Sequence, residues 1–147
     1  MLSKKNMNNT GSVSFEDILK DVIFLENIMI SIRSEGGVAE LRVDRNTPFR
    51  VNNQYATLGD ENGQWHAHIN ISQVKEAKFV VEEKENGRKS YSLRFFNSNK
   101  SLILRVNFVK MYTPENVPIQ EGLIQYKRLF AKYGERDSLL FAPIESG

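Results

Sequence analysis

The chain has no cysteine, one tryptophan, two histidines and four prolines in 147 residues. Lack of cysteine rules out disulfides, thiolate metal sites and a cysteine nucleophile, and makes a cytoplasmic setting the default expectation. Charge of one sign is scarce too. A net charge of +2, with no stripe of lysine and arginine interleaved with aromatics, gives no footing for a nucleic-acid partner. Long hydrophobic runs are missing: the most apolar stretch, residues 22–32, is broken by Glu26 and Asn27 and is too short to cross a bilayer, so no membrane insertion is expected. Lys4 and Lys5 are followed by no apolar segment of the kind a signal peptide needs. No G-x-S-x-G, P-loop or H-E-x-x-H pattern occurs, and no catalytic residue is assigned.

The 40% hydrophobic and 26% charged residues that remain are ordinary for one globular domain. The spacing predicts an Asn-rich disordered tail over 1–13, a single α+β domain over 14–137 and a C-terminal tail over 138–147 docking through Leu139, Leu140 and Phe141. Ser14 is a helix N-cap with acids behind it, and apolar residues at helical steps predict a helix from there to about Ser34, stopped by Gly36-Gly37. Strands follow at 38–43, 49–51, 54–58, 65–72, 77–83, 89–96 and 101–109, the 77–83 and 89–96 pair joined by Asn86-Gly87, a strong hairpin signal. They are expected to form one mainly antiparallel meander. A second helix is expected from Thr113-Pro114 to Gly134, kinked near Pro118 and Gly122.

The most informative strand is Trp65-His66-Ala67-His68-Ile69-Asn70-Ile71-Ser72, which alternates strictly. Period two places His66 and His68 on one polar face, about 7 Å apart along the strand. Neutral imidazole is the commonest protein metal ligand, so the pair is a candidate for iron or half of another metal site. A solvated pair of surface histidines is the alternative from spacing alone. No third ligand is supplied in zinc-site spacing. The second feature is Arg94 and Arg105 in the middle of strands, where a guanidinium is costly unless it meets water or an anion such as a carboxylate.

The run His68-Ile69, Phe79-Val80, Gly87-Arg88, Ser90, Ser92-Leu93, Phe95-Phe96-Asn97 and Leu104-Arg105-Val106 resembles the HutX/ChuX haem-utilisation carriers, which are related to the two halves of HemS-type haem-degrading proteins. The resemblance runs from Gln64 through the C-terminal helix. It departs at Lys110-Met111-Tyr112, where the family has two basic residues and an aspartate, and at Trp65-His66-Ala67, where it has Gly-Gly before the histidine. It implies a large antiparallel sheet with flanking helices, pairing of two chains into a homodimer, and haem lying against the sheet. On that basis His68 corresponds to the histidine beside the haem, Arg88 to a hairpin arginine and Arg105 to the basic residue of the last long strand.

The expectation is therefore a haem-binding or haem-trafficking protein. His68 (or His66) would hold the iron, Arg94, Arg105 or Arg88 the propionates, and Tyr91, Tyr112 or Met111 would be auxiliary ligands. Two alternatives stand beside it: a dimeric interaction module with the same fold and no haem, and a haem-degrading enzyme, for which a half-size chain lacks the second half.

Overall fold

A computed structural model describes residues 13–141 of the chain. The expected disorder of residues 1–12, and the last six residues of the expected tail, lie outside this range. Helix α1 (Phe15–Ile23) opens at Ser14, whose Oγ accepts a hydrogen bond from the Asp17 amide at 3.1 Å. Phe15, Ile18, Leu19, Val22 and Ile23 are all buried.

The helix ends eleven residues earlier than the periodicity predicts, and Ile28–Ser34 is strand β1. The apolar run Ile28-Met29-Ile30-Ser31-Ile32 is β-branched at every second position, and Asn27, in the left-handed region at φ 59°, breaks the chain direction before it. An apolar run that short fits a buried strand as well as a buried helix. Here tertiary pairing decides it, because β1 is flanked by a strand on each side.

The remaining strands are β2 (Gly37–Val43), β3 (Phe49–Asn52), β4 (Tyr55–Gly59), β5 (His66–Asn70), β6 (Glu76–Glu83), β7 (Lys89–Phe96), β8 (Leu102–Phe108) and β9 (Ser138–Leu140). All pairs are antiparallel, but they do not form one meander. Six strands form a sheet in the order β2-β1-β8-β7-β6-β9, and β3-β4-β5 form a separate three-stranded sheet. The histidine strand also stops at Asn70, two residues short of the alternating stretch. The Asn70 side chain caps a single 3-10 turn (Ile71–Gln73), accepting from the Ser72 amide at 3.0 Å and the Ser72 hydroxyl at 2.6 Å. That corner carries the chain from the small sheet to the large one.

Helix α2 (Gln120–Lys132) begins after Pro118, not at Thr113, and runs as one piece. The residue before a proline avoids helical geometry. Residues 113–117 instead close a loop in which the Thr113 amide donates to the Val117 carbonyl at 2.8 Å. Gly122 lets α2 sit close to buried Met111, since a Cβ there would lie 2.8 Å from the Met111 sulfur.

One apolar core joins α1, both sheets and α2. The C-terminal residues complete it: Leu139 and Phe141 are buried while Leu140 is exposed. The Ser138 hydroxyl donates to the Glu76 carboxylate at 2.6 Å. That bond, aided by Lys100 and Lys78, holds the Glu76 carboxyl below its ordinary range despite partial burial.

Tyr126 on α2 lies against Tyr91 and Phe108 at ring distances of 4.9 and 5.0 Å. Burial, with Tyr91 and Asp137 adding to it, pushes its phenol up to about 12 from 10.0. Because the folded state keeps the proton longer than the unfolded chain does, this contribution is intact below pH 10 and is lost as pH rises toward 12. Its full size is roughly 2–3 kcal/mol. Tyr126→Phe is expected to flatten that alkaline loss of stability, as measured by urea unfolding between pH 9 and 11.5.

Candidate functional site

The small sheet has one face in the core and one face outward. Ala56, Leu58 and Ile69 are buried, and in register Ala56 pairs with Ile69 and Leu58 with Ala67. Alternation then turns His66 and His68 outward, where Thr57 pairs with His68, Gly59 with His66, and Arg50 with Thr57. The imidazole rings meet edge to face, 5.0 Å between centroids.

His68 is the anchored member of the pair. Its Nδ1 lies 2.8 Å from the Thr57 hydroxyl, which is 3% exposed although it belongs to the outward face. Its Nε2 lies 3.9 Å from a Glu61 oxygen, too far for a hydrogen bond, and Arg50 holds that same oxygen at 2.5 Å. The His68 side chain is 45% exposed. Among the described residues no hydrogen bond holds the His66 ring. Opposite it, Gly59 at φ +91° leaves room that no other residue could use: a Cβ would stand 2.6 Å from the Trp65 carbonyl oxygen. Trp65, just ahead of β5, is half-buried and packs against the core. It lines a cavity of about 320 Å³ with Arg42, Thr47, Pro48, Gly59 and Gln64.

Arg94 and Arg105 come together on the other sheet. They are direct cross-strand partners on β7 and β8, with Lys78 of β6 opposite Arg94 on its other side. Like charges facing each other across a ladder are unfavourable, and Glu82 is the acid that answers them, 3.2 Å from Arg94 Nη2. Arg94, ahead of Lys84 and Arg105, holds the Glu82 carboxyl below its ordinary range. Arg94 Nε donates to the Ser92 hydroxyl at 3.0 Å, and Arg105 Nε to the Asn107 side-chain oxygen at 2.6 Å. Burial first, then the neighbouring Arg94 and Arg33, lowers the proton affinity of Arg105, partly offset by Glu82. The pair is thus a cationic spot with donor capacity to spare.

The other residues singled out in the sequence lie elsewhere. Arg88 binds the Asn116 side chain, donates to the Thr113 carbonyl at 3.1 Å and stacks over Tyr112 at 5.2 Å. Tyr91 is on the core face of β7 against Tyr126, opposite in direction to Arg94. The Tyr112 hydroxyl accepts from the Lys89 amide at 2.8 Å. Thr57, Arg50 and Glu61 were not singled out. The β3–β4 and β4–β5 registers, with the turn at residues 60–63, bring them to His68.

Among the described residues no group of three His, Cys, Asp or Glu side chains is placed to hold a metal ion, and no helix is long and apolar enough to cross a membrane.

A family model matches residues 16–134, and the fold is that of solved ChuX structures. The chain belongs to the ChuX/HutX-like family. A crystal structure of ChuX superposes with a TM-score of 0.67 at 17% identity, over 84% of this chain and 76% of that one. A structure described as the heme-binding protein ChuX gives 0.64 at 17% identity, over 82% and 74%. A protein from Erwinia carotovora gives 0.66 at 13% identity, over 81% and 71%. No curated protein sequence matches the chain. At these identities it is the architecture that the ChuX/HutX-like relatives share with this chain.

Proposed function

We propose that this ChuX/HutX-like protein binds haem and hands it on, with His68 as the axial iron ligand and Arg94 and Arg105 as partners for the propionates. The observation that carries the proposal is the outward imidazole pair on β5, with His68 anchored through one ring nitrogen and open at the other. The donor set fits a macrocycle better than a bare ion. A structural or catalytic zinc needs three or four protein ligands, whereas haem brings four nitrogens of its own and asks the protein for one or two axial donors. Two imidazoles without a third ligand satisfy that demand.

The guanidinium pair supplies what the acidic edge of the ring requires. Charge-assisted hydrogen bonds to carboxylates are about twice as strong as neutral ones, and Arg94 and Arg105 stand side by side with Glu82 as the carboxylate against them. The histidine and arginine pairs lie on different sheets, so separate variants of the two pairs read their contributions independently. Arg88 and Tyr91, tied into the hairpin and the core, hold the platform. Association into a homodimer belongs to the same reading: β2 is an open edge strand of seven residues with Val38 48% exposed, and such an edge is a template for a further strand.

Titration of hemin into the protein is expected to give a sharpened, shifted Soret band that saturates at one equivalent. Arg94→Gln with Arg105→Gln is expected to weaken binding about 10–100-fold, and the loss should vanish when hemin dimethyl ester replaces hemin. A spectrum that stays that of free hemin overturns the proposal in favour of a haem-free interaction module. Bleaching of the band by reductant and oxygen would point instead to haem degradation.

A further inference from the structure

Thr57 is the one buried hydroxyl on the outward face of the small sheet. It sits in the centre of β4, between its ladder partners Arg50 and His68, and its oxygen lies 2.8 Å from His68 Nδ1. Resting on the haem reading above, we infer that Thr57 is a positioning residue: it decides which ring nitrogen His68 presents to a metal.

The chemistry is restrictive. A neutral imidazole carries one N–H and one lone pair, and the hydrogen bond made by the far nitrogen selects the nitrogen that ligates. When Nε2 binds iron, Nδ1 must carry the proton and needs an acceptor. The Thr57 hydroxyl is at hydrogen-bond distance and can rotate to accept. It also fixes the ring plane, because an acceptor on a short β-branched side chain in mid-strand holds the imidazole more firmly than one on a long flexible side chain would.

Glu61 is the competitor. A carboxylate swinging onto Nε2 would occupy the iron position and hold a proton there. Arg50 prevents this by gripping the Glu61 oxygen nearest to His68, leaving it 3.9 Å from the ring. Thr57 on one side and the Arg50–Glu61 pair on the other therefore leave Nε2 as the accessible donor. Val at position 57 would keep the β-branched shape and remove only the acceptor, and Ser would keep the acceptor.

Two measurements on Thr57→Val and Thr57→Ser test the inference. In the ligand-free protein, long-range proton–nitrogen spectra of His68 should show the Nδ1/Nε2 proton distribution of Thr57→Val moved toward that of an unconstrained imidazole. Thr57→Ser should stay near the parent. In hemin titrations Thr57→Val should bind about 10–100-fold more weakly, the usual cost of losing a partner behind a metal-bound histidine, with Thr57→Ser again near the parent. If the parent chain does not bind hemin, the haem reading falls, yet the nitrogen spectra still decide the role of Thr57. Unchanged His68 nitrogen shifts in Thr57→Val overturn the inference, as does equal loss of hemin affinity in the Ser and Val variants.

Discussion

Replacing His68 with alanine is expected to weaken hemin binding by more than about 100-fold, beyond what loss of an outer partner costs, and to abolish the spectrum of a histidine-ligated iron. The fold should hardly notice. The side chain is 45% exposed, and surface substitutions of this kind usually stay within about 0.5 kcal/mol. His66→Ala should do much less, because that ring lacks the anchor His68 has in Thr57. Absorption and electron paramagnetic resonance spectra of the two single variants and the double variant separate the roles. A His68→Ala complex with an unaltered spectrum would move the ligand to another residue even with binding intact.

The largest expected loss of stability is at Phe95. It is fully buried on β7, meets Phe15 of α1 edge-on at 5.0 Å and stacks with Phe141 at 6.3 Å. One ring therefore joins the first helix, the centre of the large sheet and the C-terminal segment. Phe95→Ala removes a full aromatic side chain and leaves a cavity that three elements would have to close together, a cost of roughly 3–5 kcal/mol. Against a total of about 5–15 kcal/mol for a domain, the melting temperature should fall by roughly 6–20 °C. Calorimetry reads this directly, and a drop of a degree or two would mean that the three elements collapse onto the gap. Hemin binding by the folded fraction should persist, since Phe95 is on the core face and the arginine pair on the other.

Much of this architecture is written locally. Asn86-Gly87 fixed the β6–β7 hairpin, and with it the cross-strand arrangement that later brings Arg94 beside Arg105. The outward placement of His66 and His68 followed from alternation alone. Two things were not local. Residues 28–34 carry an apolar pattern compatible with either period, and only the presence of β2 and β8 on both sides makes them a strand. Nor does alternation encode which strand lies next door, so the separation of β3-β4-β5 from the large sheet was illegible. The same blindness hid Thr57 and Glu61. A threonine in a weak strand and a glutamate in a turn become parts of a site only through pairing across β4 and β5 and the reach of Arg50. Family likeness pointed to the histidine and the late-strand arginine but could not name the groups that orient them.

The pairing of β9 with β6 bears on how the molecule comes into being. Residues 138–140 cover one edge of the large sheet, and Phe141 lies against both Phe15 and Phe95. A nascent chain that has not yet reached residue 141 therefore has its first helix and its central sheet but not the ring that closes them. Assembly of the core must wait for residues 138–141, and contacts so distant along the backbone from α1 slow it. During synthesis the unfinished sheet edge is open to neighbouring chains, which makes the last strand as much a guard against mispairing as a contributor to stability.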